Sequence, residues 1–329
     1  VVSHNLVSNN KGSAIYSSGN ESIIEYNEVV SGPRATLDSG AIYVGGNAFK
    51  RGIHVRYNYI HDIGHKNPRG IYFDDMLSGC YAYGNIVDGH WMQLHGTREN
   101  TVYNNIFLNY QSDGKNAIRL DNNYYVSGNK QTVRWKTGNL EYGSMTAPIK
   151  PGSPYNQELY VKRYPILGVW IPMFQERVAE YNEKKDPYNS DIYQSDVYPG
   201  FTDKAGKQYN LNEYLSASRD NYFGNNVTIN AGGITAGQDG KTAGYVNTRY
   251  ENNLSFTAEE NPFNGENYGD NSAYNKIITT NPDFEVIPFE KIGPTDKTIV
   301  IENEKTKALS PANTTDFAIP AEDVILKWK

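Results

Sequence analysis

The sequence predicts an all-β fold, a right-handed parallel β-helix (solenoid) with an inserted loop and helix segment and a C-terminal cap. Three observations lead to this prediction: a repeated small-small-Ile-Tyr phrase, a second phrase that ends in asparagine, and a repeat of 20 to 31 residues without helical periodicity. A solenoid of this kind presents a long flat face that can hold an extended polymer.

The small-small-Ile-Tyr phrase occurs three times and ends in Ile15-Tyr16, Ile42-Tyr43 and Ile71-Tyr72. Stacked strands lie about 4.8 Å apart. We therefore expect Ile15, Ile42 and Ile71 to form one inward column, which Met92 and Ile118 continue. A single coil cannot bury its apolar side alone, so stacking is what creates the core.

The second phrase places asparagines at 22-, 31-, 27- and 20-residue spacing. Its members are Asn5, Asn27, Asn58, Asn85 and Asn105. Asparagine tolerates the unusual backbone angles of tight bends. Stacked asparagine amides can also hydrogen-bond to one another, so we expect a ladder.

Four segments follow from where the phrases occur. We predict β-helix coils over 1–129, an insertion over 130–220 with one short helix from Val169 to about Lys184, returning coils and a cap over 221–295, and a C-terminal appendage or linker over 296–329. We expect the insertion to cover one face. We also expect an upstream segment or partner chain to cover the first coil, because native proteins normally cover an open sheet edge.

The composition excludes several function classes. The net charge of −6 argues against nucleic-acid and anionic-membrane partners. No apolar run approaches 18 residues, so no membrane span is predicted. The mean hydropathy of −0.66 suits a thin core with a large surface. The 27 tyrosines are typical of sugar-binding surfaces, and the single Cys80 is interpreted as a buried structural thiol.

The residues that follow the isoleucine column predict a functional face. Strand side chains alternate, so the next position should point outward in every coil. These side chains are Tyr16, Tyr43, Tyr72, Gln93 and Arg119. Two residues further on, a second outward column contains Ser18, Gly45, Asp74, His95 and Asp121. Gly45 beside Asp74 leaves room for a substrate ring.

This face suits glycoside hydrolysis, which needs two carboxyl groups across the scissile bond. Adjacent Asp74 and Asp75 should raise each other's pKa, so that one serves as an acid near neutral pH. Asp74 and Asp121 lie two coils apart, about 9.6 Å, near the upper limit for inverting enzymes. Asp38 can join only if its loop folds back over the face.

Histidines and a tryptophan nearby are candidates for substrate contacts. His61 and His65 precede the third phrase, and Trp91 is either a stacking platform or a corner residue. The spacing of His61, Asp62 and His65 matches no established metal motif, so neither a metal nor a cofactor is predicted.

The ordered motifs resemble glycoside hydrolase family 141-type β-helix proteins. The resemblance rests on phrases that span roughly residues 30–295: Asp38-Ser39-Gly40-Ala41-Ile42-Tyr43, Arg56 to Ile63, Gly70-Ile71-Tyr72-Phe73-Asp74-Asp75, His95 to Asn100, Asn104 to Phe107, and Ile287 to Gly293. It implies fucosidase- or xylanase-like hydrolysis, secreted or at a bacterial cell surface. It also implies an aspartate pair at Asp38 and at Asp74 or Asp75. Ser39 and His95-Gly96-Thr97 stand where the family pattern has glycines.

We therefore predict a glycoside hydrolase acting on an oligo- or polysaccharide of plant or host origin. The expected substrate-binding residues are Tyr43, His61, His65, Tyr72, Trp91, Gln93, His95, Arg98, Arg119 and Asp121. A lacto-N-biosidase-like hydrolase is an alternative enzyme, and a glycan-binding β-helix without catalysis is an alternative function. A polysaccharide lyase or epimerase has Arg98 and Arg119 available, although the acid-rich face disfavours an anionic sugar.

Overall fold

The computed structural model describes residues 1–36, 38–45, 49–62, 69–75, 77–110, 116–121, 158–169, 171–172, 175, 197–202, 208–210, 218, 220–236, 248–263, 267–295, 300–301 and 326–327. In these ranges the chain consists mainly of short strands. None of the helices within them has the length and apolar character that crossing a membrane would require.

Fifteen strands precede the long predicted insertion. In chain order they are β1 (Val2–Ser3), β2 (Leu6–Ser8), β3 (Ile15–Ser17), β4 (Ile23–Glu25), β5 (Glu28–Val30), β6 (Gly40–Val44), β7 (His54–Arg56), β8 (Tyr59–His61), β9 (Arg69–Phe73), β10 (Tyr81–Tyr83), β11 (Ile86–Asp88), β12 (Trp91–His95), β13 (Thr101–Tyr103), β14 (Ile106–Leu108) and β15 (Ile118–Asp121).

Nine more strands and a few short helices follow. They are α1 (Glu158–Arg163), β16 (Val197–Thr202), β17 (Gln208–Asn210), β18 (Tyr222–Gly224), β19 (Val227–Ile229), β20 (Ile234–Ala236), β21 (Arg249–Glu251), β22 (Leu254–Phe256), a 3-10 turn (Asn271–Tyr274), α2 (Asn275–Thr280), a second 3-10 turn (Phe289–Lys291), β23 (Val300–Ile301) and β24 (Leu326–Lys327).

Successive stretches of chain each add one strand to sheet A and one to sheet B, and within the described residues all but the last also add one to sheet C. Sheet A has the order β1-β4-β7-β10-β13-β18-β21, sheet B the order β2-β5-β8-β11-β14-β19-β22, and sheet C the order β20-β15-β12-β9-β6-β3. Two antiparallel pairs, β16 with β17 and β23 with β24, lie outside these sheets. The predicted all-β fold of parallel strands is thus confirmed at this level.

The inward column of sheet C has the predicted register. Ile15 pairs with Ile42, Ile42 with Ile71, Ile71 with Met92, and Met92 with Ile118. All five side chains are buried in one apolar cluster, which also takes inward residues from sheets A and B, such as Val55 and Val87. Stacking like residues at one position is therefore what builds the core.

The turns between sheets are made by residues with positive φ. Between sheets A and B these residues are His4, Tyr26, Tyr57, Gly84, Asn104, Asn225 and Asn252. The φ values of the six that are not glycine lie between 52° and 56°. Each is followed by a ladder asparagine. The left-handed position therefore falls on the residue before the asparagine, and not on the asparagine itself as expected.

The predicted asparagine ladder is present and continues beyond the first five members. Side-chain amides donate from Asn5 to Asn27, Asn27 to Asn58, Asn58 to Asn85, Asn85 to Asn105, Asn105 to Asn226 and Asn226 to Asn253 at 2.9–3.0 Å. The step from Asn105 to Asn226 crosses 121 residues of chain without interrupting the ladder. Long insertions at surface turns are tolerated because the loop-closure cost grows slowly with length.

The chain that follows strand β22, described over 257–263 and 267–295 and called the C-terminal segment below, lies along the outer face of sheet B. Ile277, Phe284 and Ile287 are buried in a second apolar cluster with outward residues of sheet B such as Ile86 and Ile106. Its last part reaches back to the N-terminal strands, where Gly293 N donates to Tyr26 O at 2.8 Å. The segment thus covers the side of a sheet, whereas the sequence suggested a cap.

Helix α1 lies beside the turn that leaves sheet C. Tyr160 Oη donates to Phe49 O at 2.9 Å, and Tyr164 Oη donates to Glu21 Oε1 at 2.8 Å. This helix begins before the predicted one, and most of the predicted range from Val169 to Lys184 lies outside the described residues. The segment boundaries drawn from the sequence stay predictions.

Candidate functional site

The outer face of sheet C carries the two predicted columns in register. Tyr16 pairs with Tyr43, Tyr43 with Tyr72, Tyr72 with Gln93, and Gln93 with Arg119. Successive side chains of a strand point to opposite faces of the sheet, so all these residues lie on the face opposite the isoleucine column. The first outward column is therefore confirmed across five strands, and in the second column the register pairs His95 with Asp121.

Asp74 is the centre of this face. Its Oδ2 accepts a hydrogen bond from Tyr43 Oη at 2.7 Å, and its Oδ1 lies 2.9 Å from His95 Nδ1. Oδ1 also accepts from the backbone N–H of Asp75 at 2.7 Å. Asp74 is only 5% exposed, so its charge is balanced by these donors rather than by bulk water.

The pKa of Asp74 is lowered to about 2. Burial pushes this pKa upward, but the hydrogen bonds from His95 and Tyr43, the His95 charge and the Asp75 N–H together outweigh burial. The expectation that Asp74 and Asp75 raise each other's pKa is thus wrong for Asp74. Asp74 is an ionised carboxylate at neutral pH and cannot be a general acid there.

Two tyrosines surround the Asp74 carboxylate as neutral donors. The ring of Tyr43 stacks on Tyr16 with centroids 5.5 Å apart and meets Tyr72 edge-on at 5.2 Å. Burial is the first cause that raises the pKa of both the Tyr43 and Tyr72 hydroxyls, and the nearby Asp74 adds to it. Tyr72 Oη also lies 3.5 Å from His95 Nδ1. Both hydroxyls therefore keep their protons in the neutral pH range.

Gly45 leaves the room that this arrangement needs. An ideal Cβ at Gly45 would lie 2.5 Å from Tyr43 Cε1 and 3.0 Å from Tyr43 Oη. Any side chain there would displace the tyrosine that binds Asp74. The sequence predicted room at Gly45 for a substrate ring, but the structure fills that room with Tyr43.

Arg69 belongs to the site, although the sequence analysis gave it no role. Its Nε donates to Gln93 Oε1 at 2.6 Å, and its Cζ lies 4.3 Å from the centre of the Tyr72 ring. Its Nη1 lies 3.5 Å from Asp38 Oδ1. Simple alternation places Arg69 on the same side as inward Ile71, and only the register shift between Trp91 and Met92 sets Arg69 opposite Trp91, so sequence spacing carries no signal for this role.

Asp38 is brought to the margin of this face and not to its centre. Its side chain is 79% exposed and contacts Arg69. Its charge still contributes to the raised pKa of Tyr43 and of Tyr72. The loop therefore does bring Asp38 towards the face, as the predicted pairing required.

Trp91 and Arg119 complete the arginine side of the face. Trp91 is 2% exposed, and the Cζ atoms of Arg69 and Arg119 each lie 5.5 Å from its ring centre. Trp91 also stacks on Tyr110 with ring centroids 6.3 Å apart. The indole is therefore a support for two guanidinium groups, and it is too buried to be a sugar-stacking platform.

Asp75 follows Asp74 in the chain, and its charge acts on Lys50. Asp75 has a φ of 49°, the left-handed region, which turns its backbone N–H towards Asp74. Lys50 Nζ donates to Gly45 O at 3.2 Å. Burial lowers the pKa of Lys50, and the Asp75 charge only partly offsets this shift.

Several predicted site residues lie elsewhere. His61 is on sheet B, where its ring nitrogens lie 2.8 Å from Asp62 Oδ2 and 3.2 Å from Glu28 Oε1. Burial lowers the pKa of His61, but the hydrogen bonds with Glu28 and Asp62 outweigh burial and raise it. Arg98 is completely buried, so it cannot contact a bound molecule in this structure.

For two further predicted residues, His65 and Asp121, the structure gives no side-chain contacts. His65 lies outside the described residues. Asp121 is placed by its backbone, which pairs with His95 at the end of strand β15. Within the described part of the chain, no group of three or more His, Cys, Asp and Glu side chains could hold a metal ion.

The face thus combines an ionised carboxylate, an imidazole and tyrosine hydroxyls with a pair of arginines. This set can accept a proton, hold hydroxyl groups and bind an anion. Comparison with protein-family models, with curated proteins and with solved structures finds no match to this chain.

Proposed function

We propose that the three sheets wind as a right-handed parallel β-helix and that the outer face of sheet C belongs to a glycoside hydrolase. The observation that supports this best is the buried, ionised Asp74, held by Tyr43 and His95 in the middle of a row of polar and aromatic side chains. In this proposal an extended glycan of plant or host origin lies along the strands of sheet C, outside the bacterial cell.

Asp74 is the proposed general base. Its pKa of about 2 keeps it ionised, and therefore in the form that a general base requires, throughout the neutral range. Tyr43 and His95 fix the orientation of the carboxylate, which places the attacking water. A positioned general base typically contributes about 10²- to 10⁴-fold to the rate.

Asp121 is the proposed general acid. The register places its backbone beside His95, and His95 is bonded to Asp74 on the next strand. Two strand spacings amount to about 9.6 Å, close to the roughly 6.5–9.5 Å between the carboxyl groups of inverting enzymes. We therefore expect hydrolysis with inversion at the anomeric carbon.

Turnover on a panel of aryl glycosides and polysaccharides tests this proposal. Asp74→Asn and Asp121→Asn should each lower kcat by at least about 10²-fold on any substrate that the native chain cleaves. Asp88→Asn is the matched control, because Asp88 is bonded to Asn109 and Tyr268 on sheet B. Full activity of the Asp74→Asn variant on every substrate, or binding without turnover in the native chain, would contradict the proposal.

A polysaccharide lyase is the second candidate, since one group of contacts favours it. Tyr72 lies beside His95, and Arg69 lies over the Tyr72 ring. A histidine base with a neutral tyrosine beside it and an arginine that neutralises a uronate is suited to β-elimination. The products separate the two candidates, because elimination leaves an unsaturated sugar that absorbs in the ultraviolet and hydrolysis does not.

A further inference from the structure

We propose that Arg69 and Arg119 form an anion subsite, so that the substrate is an acidic glycan with a carboxylate or sulfate group on the sugar next to the bond that is cleaved. This inference rests on the proposed function for the position of that bond, and on the arginine geometry for the charge. It reverses the expectation that the acids of this face disfavour an anionic sugar.

The first argument is that one buried ring supports two like charges. Both Cζ atoms lie 5.5 Å from the Trp91 ring centre, so the two guanidinium carbons are at most 11 Å apart. Trp91 is 2% exposed, so both guanidinium groups rest on one buried ring at the same part of the face. An anion bound at this part of the face can contact both positive charges.

The second argument is the orientation of Arg69. Its Nε is bound to Gln93, and its planar group lies over Tyr72 at 4.3 Å. These two contacts fix the guanidinium before a ligand arrives. A planar, fixed guanidinium binds carboxylates and sulfates through two parallel hydrogen bonds, so the ordering cost of binding is small.

The third argument is that Arg69 already contacts a carboxylate. Asp38 lies 3.5 Å from Nη1 with a side chain that is 79% exposed. This contact is long and open to solvent, where ion pairs contribute about 0–1 kcal/mol. We infer that the acid group of the glycan replaces Asp38 at Arg69. In that case Asp38 competes with the ligand and is not catalytic.

The fourth argument is the position along the strand. Gln93, which binds Arg69, is two residues from His95 on strand β12. Two strand residues span about 7 Å, roughly the length of one sugar unit. An acid group held at the arginines therefore places the adjacent glycosidic bond at Asp74 and His95.

Binding measured by calorimetry tests the subsite without requiring turnover. The probes are tetrasaccharides of galacturonate, glucuronate and mannuronate, their methyl esters with the same skeleton, and sulfated galactose tetrasaccharides. The protein is the full chain with Asp74→Asn, which prevents cleavage. We expect at least one acidic probe to bind about 10-fold or more tightly than its uncharged counterpart, a preference that weakens with added salt.

The variants assign the preference to the two arginines. Arg69→Gln and Arg119→Gln should each reduce it about 10-fold or more, since a charge-assisted pair of hydrogen bonds is lost. Arg249→Gln is the matched control, because Arg249 lies over Tyr222 on sheet A and is 64% exposed. Asp38→Asn should strengthen binding of the acidic probe several-fold, a change that a merely structural Asp38 would not produce.

The outcomes separate this inference from the proposed function. Equal binding of every acidic probe and its uncharged counterpart, or a preference that both arginine variants retain, overturns the subsite. A native chain that cleaves only neutral glycans also overturns it and leaves the hydrolase proposal standing. Tight, arginine-dependent binding by the Asp74→Asn variant, together with no turnover of any probe by the native chain, supports the subsite and removes the hydrolase. The uronate and sulfate probes decide between the two sources of the charge.

Discussion

The inner faces of sheets B and C are both apolar, but their outer faces differ in polarity. Strand β14 of sheet B is apolar on both faces, with Phe107 in the inner cluster and Ile106 and Leu108 in the outer one. Strand β12 of sheet C alternates, with Met92 and Leu94 inside and Gln93 and His95 outside. A continuous apolar strand thus marks a face covered by apolar side chains, and an alternating strand marks a face that carries polar side chains.

The largest expected effect concerns the asparagine ladder, on which both faces depend. The amide of Asn85 donates to Val55 O, Tyr83 O and Asn105 Oδ1, and its Oδ1 accepts from Asn58. Asn85→Ala leaves several of these buried groups unpaired, so we expect a loss of about 3–4 kcal/mol in the free energy of unfolding.

Chemical denaturation measures that loss. Asn271→Ala is the control, because Asn271 is exposed at the start of a 3-10 turn. We expect the control to stay within about 0.5 kcal/mol of the native chain. A similar, small effect of both substitutions would mean that the ladder does not stabilise the sheets.

The second prediction concerns the acid stability of the sheet C face. The folded pKa of Asp74, about 2, is below its ordinary value, so the carboxylate stabilises the fold above pH 4 and this stabilisation is lost as the pH falls towards 2. A shift of this size corresponds to about 2 kcal/mol.

Unfolding of the native chain and of the Asp74→Asn variant should be measured between pH 2 and pH 6. The difference in stability between the two should shrink towards pH 2, where the native Asp74 becomes protonated. A constant difference across this range would show that the Asp74 charge adds nothing to stability.

The third prediction concerns the cover of sheet B. Asn104 holds the C-terminal segment by two hydrogen bonds, from Asn104 Nδ2 to Glu285 O at 2.8 Å and from Glu285 N to Asn104 Oδ1 at 2.7 Å. Asn104→Gly keeps a residue suited to the φ of 56° and removes only the side chain. We expect a loss of about 1–2 kcal/mol and faster amide exchange in residues 281–292.

Asn109→Gly is the matched control for this variant. Asn109 has a φ of 55°, and its side chain binds Asp88 instead of the segment. Exchange in residues 281–292 should not change in this control. Equal acceleration of exchange in both variants would mean that the effect comes from the altered turns and not from the loss of the Asn104–Glu285 hydrogen bonds.

The smallest effect is expected at the margin of the sheet B cover. The raised pKa of His61 means that its charged form, held by Glu28 and Asp62, stabilises the fold below about pH 6.5. This stabilisation is lost as the pH rises through the folded pKa. The His61→Gln variant should therefore lose stability more at pH 5.5 than at pH 9, and the opposite order would contradict the assignment.

The inward half of the fold was predictable because it repeats. Ile15, Ile42 and Ile71 recur with the same neighbours, and Asn58 and Asn85 recur in the second phrase, so one residue predicts the environment of the next. Repetition also set the register, and with it the two outward columns of sheet C.

The chemistry of the outward half was not predictable in the same way. The low pKa of Asp74 depends on the directions of Tyr43 and His95, which no spacing along the chain specifies. Arg69 contacts its partners through a long side chain that bends over Tyr72, and a column assigns only where that side chain starts. The path of the C-terminal segment along sheet B depends on contacts between residues far apart in sequence, such as Ile277 and Ile106.

The asparagine ladder also has a direction. Between side chains, each amide from Asn5 to Asn226 donates to the asparagine oxygen on its C-terminal side and accepts from the amide on its N-terminal side. The two ends of the row therefore differ chemically: extending it past Asn5 requires a side-chain donor, and extending it past Asn253 requires a side-chain acceptor. The row of amides thus distinguishes the two directions in which a further strand could be added.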